Sequence, residues 1–482
     1  MWPALVLVLI ALVPVVVLVG VWRWAARRAD AADAPTAAPT APAPAPAPAP
    51  VLTTPLLSFR RAPGVLAREI SRPLLEQVVA EFGATIDDTS CLAVALDGEP
   101  VGEAGGDRPV IPASNQKLVV AAVALDVLGA DATFRTEVRG GPVIEGVITG
   151  DLHLVGGGDP LLTSSTFPVH EDPRPVTTPT PLDVLADAVV AAGVQRVDGS
   201  VVGDGTRYDD EWFAPSWSDD VRGVEAGPYD ALLVNDGRVT GSPARVADPA
   251  VGAAQELTSL LAARGVRVAG SPEAGVAPAD VTTIGSVTSA PMASVVAELL
   301  GTSDDNTAEL LVKELGVASG GQGTRKAGLE VIRHTLERWG VPTAGLVLAD
   351  GSGLSNGNRL TCPALVAVLA AQDADGPLGA GLPVAGQSGT LADVLTESPV
   401  SGRMRAKTGT LGNPPQGVDP PAVKALSGYL PVEGGETIEF ALILNSQGDL
   451  TTPRSYLPVW ERLGGVLASY PAGPSAAELG PR

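Results

Sequence analysis

The chain opens on an uninterrupted apolar run, Pro3 to Trp22, long enough to cross a bilayer as a helix. Arg23, Arg27 and Arg28 follow it, the reverse of a secretory leader, and the positive-inside rule puts them on the cytoplasmic side. Residues 34–50 are built almost wholly of Ala and Pro, ending in strict alternation. That pattern predicts a polyproline II spacer of about 3.1 Å per residue, roughly 50 Å in all. Beyond it the rhythm becomes that of a folded domain. Cys91 to Leu96 reads as a strand, Asp97-Gly98 as a hairpin turn and Pro100 to Ala104 as the return. Ser114 to Leu128 has a helical apolar face closed by Gly129. From about Phe134 to Ile284 the elements shorten. Strands are predicted at Ile144–Val155, Arg196–Val202 and Ala231–Val239, with helices near Leu182–Ala192 and Gln255–Ala263. Helical spacing returns after Pro291, breaks over Gly301–Asn306, resumes through Ala308 to a stop at Gly316, and returns over Arg325–Trp339. Ala425–Leu430 and Thr437–Leu444 then read as two strands across a Glu433–Glu436 turn, and the tail from about Tyr470 reads as disordered. The pattern is α+β, an antiparallel sheet flanked by helices and assembled from both ends of the chain, with smaller α/β structure inserted.

Composition narrows what such a fold does. The net charge is −22, with 54 acidic and 32 basic residues, which leaves no basic stripe for a phosphate backbone and excludes nucleic-acid binding as the main task. The three histidines and two cysteines fall in no zinc-ligand spacing, so no metal or other cofactor is expected. Whether Cys91 pairs with Cys362 stays open. The acidic cluster Asp204, Asp209, Asp210 and Glu211 reads as solvated surface. Only five of the basic residues are lysine (Lys117, Lys313, Lys326, Lys407 and Lys424), so each is a candidate for chemistry.

Ser114-Asn115-Gln116-Lys117 puts a hydroxyl and an amine three residues apart, on one face of a helix. A serine nucleophile needs a base, and a neutral lysine serves. Its place in the first helical turn favours developing negative charge. Lys407-Thr408-Gly409-Thr410 gives a cation, a hydroxyl and a residue without a side chain beside a strand region, a cradle for a carboxylate with room for a ligand backbone. Ser303-Asp304-Asp305-Asn306, in the polar break, supplies a helix cap and a hydroxyl able to relay a proton.

S-x-x-K, S-x-N and K-T-G in that order form the signature of penicillin-binding proteins and related β-lactamases. The chain resembles, more narrowly, the D-alanyl-D-alanine carboxypeptidase/endopeptidase family, the class C low-molecular-mass penicillin-binding proteins. Further segments carry the likeness: Leu154–Pro160, Ser303–Glu309, Asp350–Ser355 and Leu382–Gly386. The resemblance spans roughly Leu57 to Leu467. It implies a transpeptidase-like (β-lactamase-like) domain in two parts, 57–132 and 288–469, with inserted domain(s) at 133–287. These would follow an anchor or signal segment (1–25) and a linker (26–56), with a disordered tail at 470–482.

The implied activity is cleavage of D-alanyl peptide bonds of peptidoglycan stem peptides through an acyl-serine, with β-lactams as inhibitors. The implied place is the extracytoplasmic cell envelope, membrane-anchored through the N-terminal segment or secreted. Ser114, Lys117, Ser303 and Lys407 are then catalytic. Asp305, Asn306, Thr408, Gly409 and Thr410 bind substrate, and the Ser114 and Thr410 N–H groups form the oxyanion hole. The family's second motif is S-D-N with A-E two residues on; here that spacing puts Asp305 where an amide belongs, and Asn306 one step later. Either Asp305 replaces the amide or the loop shifts to present Asn306. Two other readings stay open: a non-catalytic envelope scaffold, and a β-lactamase or esterase on the same fold.

Overall fold

The computed structural model describes residues 14–28, 63–167, 178–412, 421–450 and 452–472. The chain divides into two units, Met1–Leu56 and Leu57–Arg482. In the first, residues 14–28 are helical. The Ala-Pro spacer and the start of the apolar run lie outside the described residues. Among those described, no helix is long and apolar enough to cross a membrane.

The second unit is organised by a five-stranded antiparallel sheet. Its order is Arg405–Leu411, Ala422–Pro431, Thr437–Ser446, Cys91–Leu96, Glu99–Ala104, so the two ends of the chain meet at its centre. Cys91–Leu96 is apolar at every position because both of its faces are covered. Cys91, Ala93 and Ala95 join Val423, Ala425, Ala441 and Ile443 in one core. Leu92, Val94 and Leu96 join Leu426, Leu430, Phe440 and Leu442 in the other. The second core is closed by two helices absent from the sequence-based expectation, Pro63–Gly83 and Pro453–Leu467, through Leu75, Val79, Trp460 and Leu463.

The first core receives the helix Gln116–Val127, whose residues Gln116 to Leu125 are all buried. A helix apolar all round is one buried all round. Around it pack Met292–Thr302, Asp305–Gly320 and Cys362–Ala370. Cys91 and Cys362 are disulfide-bonded, tying the strand Cys91–Leu96 to the last of these helices.

Between residues 134 and 288 the strands form sheets of their own. One has the order Glu273–Ala274, Val201–Asp204, Leu152–Val155, Arg135–Gly140, Thr282–Thr288; a smaller one joins Arg267–Val268, Arg196–Val197 and Val147–Ile148. The helices Asp183–Ala191 and Pro249–Ala263 pack on them through Leu185, Val189, Leu257 and Leu261, a separate core.

Several expectations need correction. Ala231–Val239 is not a strand: Leu232 and Val234 pack into one core and Ala231 and Leu233 into another, which explains the alternation. Asn235 and Asp236, at φ 54° and 55°, then turn the chain. Gly316 does not stop its helix, which runs from Asp305 to a cap at Gly321. A Cβ at Gly316 would lie 2.4 Å from the Gln322 carbonyl oxygen, so this glycine serves close packing. Of the acidic cluster only Asp210 is exposed surface as expected. Asp204 is buried and accepts from Thr206 and Ala277, Asp209 pairs with Lys313, and Glu211 pairs with Arg325. The tail is ordered further than expected: Tyr470 is buried and Ala472 exchanges hydrogen bonds with Ser71, while 473–482 lie outside the described residues.

Candidate active site

Ser114 lies in a short 3-10 turn, Ala113–Asn115, rather than in the regular helix that follows. Ala113 has φ 49°, a strained value for a residue with a Cβ. Two contacts hold the turn. Asn115 Nδ2 donates to Ser427 Oγ at 2.7 Å. Gly353 lies so near that a Cβ there would be 1.9 Å from the Ala113 carbonyl oxygen. Ser114 is left half-buried, and the side chain of Lys117 is 0% exposed. Lys117 Nζ donates to Ser114 Oγ at 2.9 Å, Asp305 Oδ1 at 2.6 Å and the Ser352 carbonyl at 2.7 Å. Three acceptors match the three protons of an ammonium.

The Ser352 carbonyl is presented by a turn wound round a buried carboxylate. Asp350 Oδ1 accepts from Gly353 N at 2.9 Å and Asn358 Nδ2 at 2.6 Å; its Oδ2 accepts from Ser355 N at 2.6 Å and Trp217 Nε1 at 2.7 Å. Glu309 Oε1 takes the Gly351 and Ser352 N–H groups at 3.0 and 2.7 Å. Burial, then the charge of Asp350, pushes the Glu309 carboxyl up from its ordinary value.

The polar break forms the opposite wall. Ser303 ends the helix Met292–Thr302 in the left-handed region, φ 65°. Asp304 caps the next helix by accepting from Thr307 N, and burial first, then Asp236, pushes its carboxyl up to about 6. Asp305 faces Lys117. Asn306 is buried with its amide engaged elsewhere: Oδ1 accepts from Gly227 N at 2.7 Å and Nδ2 donates to Asp236. Of the two residues, Asp305 is the one that meets Lys117.

Lys407, on the edge strand and fully buried, donates to Ser303 Oγ at 2.8 Å and the Thr408 carbonyl at 2.7 Å. Thr408 Oγ1 donates to Thr390 Oγ1 at 2.9 Å, and Thr410 Oγ1 accepts from Lys424 Nζ at 3.0 Å. A Cβ at Gly409 would press on the Pro112 carbonyl oxygen (3.1 Å) and Ala113 Cβ (3.2 Å). The glycine thus lets the edge strand seat against the serine turn, a different need from the expected approach of a ligand backbone.

Ser303 and Asp305, two residues apart, bond to Lys407 and Lys117 respectively, two of the three buried lysines, and all three motifs meet at one place. Asp350, Ser352, Glu309 and Trp217 were missed as site residues. The first three lie in segments that carried the resemblance; Trp217 had no signal in the sequence.

The family model described as D-Ala-D-Ala carboxypeptidase 3 (S13) matches residues 75–245 and 239–462, most of the chain. The chain belongs to this carboxypeptidase family. Among its relatives are a D-alanyl-D-alanine carboxypeptidase of Actinomadura sp. and the carboxypeptidase DacB of Mycolicibacterium smegmatis. The first is 32% identical over 458 residues, with 77% of this chain and 79% of that protein covered. The second is 30% identical over 415 residues, with 80% and 84% covered. The crystal structure of penicillin binding protein 4 from Haemophilus influenzae shares the fold, with a TM-score of 0.66 at 20% identity over 81% of this chain and 99% of that one. Its complex with a β-lactam aligns with a TM-score of 0.62 at 18% identity, over the same shares.

Proposed function

We propose that the protein is a serine-type D-Ala-D-Ala carboxypeptidase/endopeptidase of peptidoglycan that works through an acyl-Ser114 intermediate. The observation that carries the residue assignment is the Ser114 hydroxyl, half-exposed and 2.9 Å from an amine with no exposed surface. Ser114 Oγ attacks the carbonyl carbon of the D-alanyl peptide bond, and Lys117, as free base, takes its proton. The oxyanion is met by the N–H groups of Ser114 and Thr410. Collapse breaks the C–N bond, and the proton held by Lys117 passes by way of Ser303, itself bonded to Lys407, to the leaving amine, which restores the free base. Water then hydrolyses the ester. Lys407 and Thr408 receive the substrate's terminal carboxylate.

A β-lactam carbonyl enters the same path and stays as the acyl-enzyme. We read 57–132 and 288–469 as the catalytic domain, 133–287 as its insertion, 1–25 as anchor or signal, and 26–56 as the spacer. The buried Cys91–Cys362 disulfide suits an oxidising compartment outside the cytoplasm.

Labelling with a fluorescent penicillin tests this reading. The expected result is about one label per chain, mapped to the Ser114 peptide and lost in Ser114→Ala at unchanged Tm. A wild-type protein that takes no label is the scaffold instead; an adduct on another serine removes the nucleophile assignment.

A further inference from the structure

Trp217 lies in the insertion, far in sequence from every motif, yet its indole N–H ends on the carboxylate that shapes the catalytic turn. Its ring is 3% exposed and meets Tyr229 edge to face at 5.8 Å. Asp350 is itself fully buried, so its oxygens need the donors around them. Three come from residues 353, 355 and 358, and the fourth from Trp217. The turn these bonds close has two outputs. The Ser352 carbonyl accepts from Lys117 Nζ, and Gly353, at φ 87°, abuts the carbonyl of Ala113, the residue before the nucleophile.

We infer that Trp217 is a positioning residue for the acylation step: it acts through Asp350 on Ser352 and Gly353, and thereby sets the Lys117 amine against the Ser114 hydroxyl. The inference rests on the reading of Ser114 and Lys117 as nucleophile and base. Without the N–H, Asp350 Oδ2 keeps only Ser355 N, and the turn loses the bond that fixes it to the insertion. The carboxylate pocket at Lys407 and Thr408 does not involve this turn, so binding and chemistry should separate.

The test is penicillin acylation of Trp217→Phe, measuring the rate constant at saturation, the half-saturating concentration and the final label per chain. Trp460→Phe is the matched control. That indole is also buried, at 2% exposure, in the other core, and its N–H has no hydrogen-bond partner among the described residues. Trp217→Phe should slow acylation about tenfold at saturation, with half-saturation within about twofold of wild type and full final labelling. Trp460→Phe should match wild type in all three. An unchanged rate in Trp217→Phe, or equal slowing in both variants, overturns the inference. If Trp217→Phe labels incompletely, Asp350→Asn is read instead: it keeps the volume, and the same split supports the inference while a wild-type rate overturns it. A wild-type chain that takes no label fails the proposed function instead, so the two failures are distinct.

Discussion

One helix, Asp305–Gly320, takes part in two lysine–aspartate pairs of opposite polarity, each with a buried lysine. At its start the helix supplies the carboxylate, and Lys117 comes to Asp305 at 2.6 Å. Two turns on, the helix supplies the cation, and Lys313 meets Asp209 of the insertion at 2.6 Å, off the line of a hydrogen bond. Both lysine side chains are 0% exposed. What differs is the rest of each shell. Lys117 also holds the half-exposed hydroxyl of Ser114. Lys313 holds the carbonyls of Asp209 and Glu211 and lies 5.1 Å from the Tyr229 ring centroid. Carbonyls and a ring face give an amine nothing to deprotonate. Burial of a lysine is therefore not itself a sign of chemistry; a nucleophile within its reach is.

The pairs should respond to opposite measurements. Lys117→Arg keeps the charge and the ion pair but cannot act as a base, because guanidinium does not give up its proton. Acylation should fall roughly a thousandfold or more, the scale of a lost general base. An Arg variant labelling at near wild-type rate breaks the contrast. Lys313→Met leaves two carbonyls without their donor and Asp209 without its counter-charge, at a cost on the order of 1–3 kcal/mol. The expected outcome is a lower denaturant midpoint, with the acylation rate of the folded molecules within about twofold of wild type. A slow but fully stable Lys313→Met would show that the insertion side of the helix is catalytic too.

The sequence exposed the Ser114–Lys117 contact and hid the Lys313–Asp209 pair for physical reasons. Ser114 and Lys117 lie three residues apart, and helical geometry alone brings them together. Lys313 and Asp209 meet only through the tertiary packing of the insertion, so Asp209 read as surface. The sheet was legible because strands buried on both faces, such as Cys91–Leu96, read as apolar runs. Ala231–Val239 misled because alternate packing into two cores copies a strand's pattern without a partner ladder. Gly316 misled because a glycine placed for helix packing looks like a stop. The Cys91–Cys362 bond could not be read, since two cysteines state a possibility and not a distance. Trp217 gave no sign at all, because its role is a contact across the fold.

The smallest expected effect sharpens the comparison most, because it asks what the carboxylate does at the catalytic end. Asp305 stands where the family pattern has an amide, and its side chain is 17% exposed, so an incoming acyl chain meets it. An amide offers N–H to a substrate carbonyl; a carboxylate offers only acceptors, and this one holds Lys117 Nζ at 2.6 Å. Asp305→Asn removes that hold and restores a donor. Acylation by penicillin should rise about tenfold, roughly 1.4 kcal/mol of barrier. The same exchange at the other pair, Asp209→Asn, should leave the rate alone, since Lys313 touches no nucleophile. Asn306→Ala should also leave the saturated rate within about twofold, its amide being tied to Gly227 and Asp236. If Asp305→Asn slows acylation instead, the carboxylate is the group that receives a proton from Lys117 and frees the amine. The catalytic pair would then be a working base with its own acceptor, and only the Lys313 pair would be purely structural.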